Sequence, residues 1–177
     1  MSVLVRAGLV MALTASAAAA AAGPADVFGG FSSTRLGEDT YHGWNAAFTY
    51  GLGGGKVGLT ADLAGHYASA DDTDLGLFTY LAGPRLQIAG GGKVRLYLHL
   101  LGGRARASAK YSPVTGVDIT QSETSTAVLA GLAADFSLSE SWALRLSASY
   151  FGVDAEPEME SQPRLSLGLS YRLGSGK

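Results

Sequence analysis

The sequence contains no cysteine, and only 16% of its 177 residues are charged. The first shortage rules out a disulfide framework and leaves no cysteine to carry a lipid anchor after the N-terminal segment. The second is unusual for a soluble domain, where about a quarter of the residues carry charge. No basic stripe is present, so the electrostatic footprint of a nucleic-acid-binding protein is missing. No stretch beyond the first 22 residues is long and apolar enough for a membrane helix. Yet 47% of the chain is hydrophobic and 25 residues are glycine. That combination predicts a surface whose solvent is something other than water.

Residues 1–22 stand apart from the rest. Arg6 is the lone positive charge of an n-region, and 7–22 is apolar apart from Thr14 and Ser16. The segment ends in a run of alanines, small residues that suit signal peptidase at −3 and −1. It is read as a cleaved export signal, with cleavage near Ala22 and no later than Ala25. Residues 23–177 then form one domain, in which 12 Lys and Arg face 15 Asp and Glu.

Within that domain the recurring pattern is alternation with period two, the signature of strands. In 56–68, Val57, Leu59, Ala61, Leu63, Gly65 and Tyr67 share one face. Lys56, Gly58, Thr60, Asp62, Ala64, His66 and Ala68 share the other. This run is about twice the usual strand length and near the span of a tilted transmembrane strand. The same alternation marks 43–50, 77–86, 94–101, 128–136, 142–150 and 164–173. With a first strand near 26–34, the pattern predicts an all-β fold. It is a closed antiparallel up-and-down transmembrane barrel of about eight strands. The apolar set faces outward and the polar or small set inward, with mixed faces near Leu81 and Leu101. Connections 51–55, 89–92 and 137–141 read as short turns, and 36–41, 69–74, 106–122 and 152–162 as longer loops. In outer-membrane barrels the short turns are periplasmic, which puts both termini there.

Aromatic residues fall at the strand ends. Tyr50, Phe136, Trp142 and Tyr171 map to the short-turn rim, and Phe31, Trp44, Tyr67, Phe78 and Tyr150 toward the other. These two rows are read as interfacial girdles. Trp142 to Tyr150 spans roughly 26 Å along the strand, or about 20 Å vertically when tilted, which matches the apolar band.

Three segments carry a resemblance to a known family: Asp26-Val27-Phe28-Gly29-Gly30-Phe31, Ala82-Gly83-Pro84-Arg85, and the closing run from Leu165 to Gly174. From Asp26 onward the chain resembles the bacterial outer-membrane β-barrel domain family, which includes the OmpA-type and OmpX-type small barrels. Ser166-x-Gly168-x-x-Tyr171-x-Leu173 is similar to the signal read by barrel-assembly machinery. The resemblance implies periplasmic chaperones and that machinery as partners during biogenesis, and outer-membrane lipid or lipopolysaccharide thereafter. It implies no cofactor or metal.

The inward rows hold Asp62, Arg85, Arg95, His99, Asp135, Arg145 and Arg172. An eight-stranded barrel is just wide enough for side chains to fill it, and charges inside need partners. These residues therefore read as a polar plug rather than a conduction path. Asp135 and Arg145 flank the 137–141 turn almost symmetrically and should face each other. No compact pairing of histidine with serine stands out: His66 and Ser69 come nearest, and alternation sends them to opposite faces. His42, His66 and His99 read as rim or lumen histidines. The acidic runs Asp71, Asp72, Asp74 and Asp154, Glu156, Glu158, Glu160 lack a full cation-loop pattern and read as solvated loops.

The expectation is a non-enzymatic integral outer-membrane protein whose exposed loops serve adhesion, surface protection or envelope integrity. Two alternatives stand beside it. One is an envelope lipid-modifying enzyme of the lipid A acyl hydrolase or acyltransferase kind, which would need a serine or carboxylate at its histidine. The other is a soluble periplasmic lipocalin-like barrel binding an apolar ligand, whose outer wall would be polar.

Overall fold

A computed structural model describes residues 25–36, 39–52, 56–70, 73–111, 119–155 and 158–173. The proposed export signal lies outside the described residues. Eight strands follow in order: β1(Ala25–Leu36), β2(Asp39–Leu52), β3(Val57–Ala70), β4(Thr73–Gly91), β5(Val94–Tyr111), β6(Ile119–Ser137), β7(Trp142–Ala155) and β8(Glu158–Leu173). Each pairs antiparallel with its neighbour in sequence, and β1 closes the barrel against β8 through pairs such as Phe31↔Leu167 and Asp26↔Arg172. Closure gives each strand a hydrogen-bonded neighbour on both sides through the apolar belt, which is what a lipid solvent demands.

Period-two alternation decides which side chain meets which medium. On β7, Leu144, Leu146, Ala148 and Tyr150 are exposed, while Ala143, Arg145 and Ser149 are buried. On β8, Leu165, Leu167 and Leu169 are exposed beside buried Arg164, Ser166 and Ser170. A contiguous apolar belt of this kind far exceeds the few hundred Å² that water-soluble monomers expose. The wall is that of a membrane barrel, and the lipocalin-like alternative fails on it.

Two expectations are corrected. The segments read as long loops are mostly strand: β5 and β6 stay paired to Tyr111↔Ile119, and β7 and β8 to Ala155↔Glu158. Residues 119–126 are polar or small at nearly every position, so the apolar alternation vanishes while the backbone ladder continues. Where both faces of a strand are wet, hydrophobic pattern carries no signal. The interior is also less uniformly polar than expected. Leu77, Leu81, Leu101, Ala105, Ala127, Leu129 and Phe151 form an apolar core inside the half of the barrel away from the short turns. This explains the mixed faces near Leu81 and Leu101: both leucines point inward and are 3% exposed.

Between β4 and β5 the hairpin closes tightly at Gly91↔Val94, with Gly92 at φ +65°. The register shifts between Gln87 and Ala89, so one extra residue fits on β4, and Gly90 beside it sits at φ +96°. Both values lie in the region that glycine alone enters cheaply.

Candidate functional site

The lumen is organised around four charges drawn from four strands. Alternation points Asp26 of β1, Arg85 of β4, Asp135 of β6 and Arg145 of β7 to the axis. Arg145 forks onto Asp135, with Nε donating to Oδ1 at 2.6 Å and Nη2 to Oδ2 at 2.9 Å. The same Nη2 donates to Asp26 Oδ1 at 2.9 Å and to Ser170 Oγ at 3.2 Å. Arg85 donates from Nη1 to Asp26 Oδ2 at 3.1 Å and to Thr49 Oγ1 at 3.0 Å, and from Nη2 to Asp135 Oδ2 at 3.4 Å. Its guanidinium carbon lies 3.6 Å over the Tyr97 ring. Two acids and two arginines cancel, so the quartet is neutral and each charge faces a partner of opposite sign, the condition under which buried charge is tolerated.

Small residues make room for this. Gly168 lies opposite both Arg145 and Gly30, and all three face the lumen. A Cβ on Gly168 would sit 2.5 Å from the Gly30 Cα, inside any real contact distance.

A second cluster sits further from the short turns. Arg164 Nη2 donates to Asp62 Oδ1 at 3.0 Å, and Asn45 Nδ2 to Asp62 Oδ2 at 2.6 Å. Arg164 Nε reaches Ser32 Oγ at 3.3 Å, Ser166 Oγ lies 3.0 Å from the same oxygen, and His66 Nε2 lies 2.9 Å from it. His99 Nε2 shares a hydrogen bond of 3.0 Å with Ser149 Oγ. The absence of any compact histidine–serine pair is therefore corrected. Both pairs join residues far apart in sequence, and closure of the barrel brings them together. His66 and Ser32 are almost wholly buried and point away from lipid.

Of the seven lumen residues expected, the structure joins Arg85, Asp135 and Arg145 in the quartet, puts Asp62 in the second cluster and gives His99 a serine partner. Arg95 and Arg172 enter neither cluster. They line a cavity of about 260 Å³ at the short-turn mouth, so the lumen is not filled throughout. A smaller cavity of about 50 Å³ lies on the other side of Arg85. Asp26, Arg164, Asn45 and Ser32 were missed as network members. Alternation puts all four inward, but which inward residues meet depends on strand stagger, which a single sequence does not reveal.

The nine aromatic residues of the two rows lie on the outward faces. Trp142 packs on Tyr171 across β7 and β8 with ring centroids 4.8 Å apart. Trp44 and Phe78 are 6.1 Å apart at the opposite rim. Of the assembly-signal residues, Ser166 and Gly168 face the lumen, and Tyr171 faces out against Trp142. Leu173 is half-buried at the end of β8. Of the acidic runs, Asp71, Asp72 and Glu156 and the side chains of Asp74, Asp154, Glu158 and Glu160 lie outside the described residues.

An antiparallel barrel with an apolar outer wall and an ion-paired interior is a transmembrane barrel of the outer-membrane class. The model of the outer membrane protein beta-barrel domain matches residues 6–172, and the chain belongs to that family. Among solved structures it is similar to the attachment invasion locus protein Ail of Yersinia pestis. Identity is 23% and the TM-score 0.64, over 85% of this chain and 99% of that one. Ail has also been solved in complex with the heparin analogue sucrose octasulfate. OprG of Pseudomonas aeruginosa matches at 13% identity and TM-score 0.60, over 85% of this chain and 96% of that one. Neisserial surface protein A matches at 16% and 0.57, over 85% and 95%. These identities show a common fold. No curated protein sequence matches the chain.

Proposed function

We propose that the mature protein is a non-enzymatic outer-membrane barrel that engages lipopolysaccharide and surface partners through its outer half, after export by the segment 1–22. The observation that carries this reading is a change of character on the outward face of β5. Val94, Leu96, Leu98 and Leu100 form the apolar row, and two steps beyond Gly102 the same face presents Arg104 and Arg106, both exposed. Arg106 stands opposite Phe78 of the outer aromatic row, and Arg104 opposite Tyr80, which is exposed on the same face. From Val94 to Arg104 is roughly 33 Å along the strand, enough to cross the apolar band when tilted. Two arginines at that height meet the phosphates of outer-leaflet glycolipid, which guanidinium groups bind bidentately.

The quartet supports a structural rather than a conducting lumen, because it spans the axis between the two cavities. Both histidine–serine pairs lie on the lumen side of the wall, away from lipid, which supports the non-enzymatic reading, since an acyl-transfer nucleophile must reach an ester in the bilayer. The test is folding of the full barrel into vesicles with and without lipopolysaccharide. Arg104→Gln with Arg106→Gln should remove the stabilisation that lipopolysaccharide confers and leave folding in phosphatidylcholine unchanged. An undiminished lipopolysaccharide effect would refute the assignment.

A further inference from the structure

The cavity at the short-turn mouth has a charge imbalance that the quartet does not absorb. Asp26 and Asp135 are each held by both Arg85 and Arg145. Among the described residues three further cations, Lys56, Arg95 and Arg172, line the wall, and the one remaining acid there is Glu140, exposed on the turn before β7. None of these three cations forms an ion pair with a described residue. With the quartet neutral, the wall keeps two positive charges in excess. Its donors are also unmet: the Nε–H groups of Arg85 and Arg95 are buried without an acceptor among the described residues. Tyr97 lies between the two arginines, two positions from Arg95 on the same inward face and under the Arg85 guanidinium.

Excess cationic charge and idle guanidinium donors around an open volume describe an anion site. A phosphate group supplies what is missing: about −1.5 to −2 charge at neutral pH and three strong acceptor oxygens as a monoester, or a single charge and two such oxygens as the diester of a lipid headgroup. The cavity, at about 260 Å³, has room for the group with a small substituent and falls below the size of sites for larger ligands. We propose that this mouth binds a phosphate group, with Arg95 and Arg172 as its principal ligands and Lys56 at the entrance. The source is a free phosphate or small phosphomonoester, or the headgroup of a lipid at the rim. That the site opens to the periplasm rests on the orientation proposed above; binding itself does not.

The experiment uses the full barrel folded in a phosphate-free maltoside detergent, where both mouths are open whatever the orientation in cells. Inorganic phosphate is titrated at constant ionic strength against chloride, and the ³¹P line width is followed. The expected result is saturable broadening at one site. Arg95→Gln with Arg172→Gln should weaken it about tenfold or more, the loss expected for charge-assisted hydrogen bonds. Neither arginine holds an ion pair with a described residue, so the variant should keep the electrophoretic shift of the folded barrel, and Arg35→Gln, exposed on β1 and outside the cavity, should bind like the parent. Repeating the titration in phosphatidylcholine vesicles and in phosphatidylglycerol vesicles separates the sources. Undiminished binding in both assigns a soluble ligand, and competition by phosphatidylglycerol alone assigns a headgroup. Absence of saturable broadening, or equal binding by the doubly substituted barrel, would overturn the proposal.

Discussion

Arg145 ties three lumen residues together, touching Asp135, Asp26 and Ser170 at once. Removing one member of a buried ion pair typically costs about 3–5 kcal/mol, because the partner is left charged and unpaired. Arg145→Ala should therefore destabilise the folded barrel by about that amount. Adding Asp135→Ala should recover part of the loss, since Arg85 remains to satisfy Asp26. Urea titration of the folded fraction in vesicles measures both, and strict additivity of the two substitutions would contradict the pairing. The Asp135–Arg145 contact was legible in the sequence because both residues flank one turn. Asp26 was not, because it reaches Arg145 over β8, from a strand 119 positions away that only closure brings near. Local symmetry reveals hairpin partners, whereas partners across a lumen depend on closure.

The strands were legible wherever one face meets lipid and the other does not. Their outer extensions were not, because threonine, serine and glutamate occupy both faces of 119–126. The ladder there stands beyond the apolar belt and is held by backbone pairing with β5. The alternate amides of 120–126 that point at β5 should accordingly exchange slowly with solvent, although a water-soluble paramagnetic reagent broadens them. Fast exchange of every amide in that stretch would mean a loop in place of the ladder. Gly168 makes a second case at this scale. Its place in the closing strand resembles a recognition signal, yet its neighbours give it a packing reason of its own. Gly168→Ala should impair folding into detergent with no assembly machinery present, by strain against Gly30. Normal refolding in detergent with failure only in cells would assign the glycine to recognition alone.

For the whole molecule the account reduces to an inversion: apolar residues outside, charge and hydrogen bonds within, and lipid as the solvent. The proposed orientation, with the short turns in the periplasm, is tested by epitope tags. A tag within 112–118 should be labelled on intact cells, and one at Gly53 only after the outer membrane is breached. The most direct test of the inversion compares two adjacent residues of β7. Leu146 is 49% exposed on the outer wall, and Ser147 faces the lumen beside the smaller cavity. An arginine at mid-membrane costs about 2–4 kcal/mol on the lipid face, a large part of a small domain's stability. The measurement is the fraction of barrel folded into lipid vesicles, read from the electrophoretic shift of unboiled samples. The account predicts that Leu146→Arg folds poorly while Ser147→Gln folds close to the parent. Parental folding of Leu146→Arg together with failure of Ser147→Gln would contradict it.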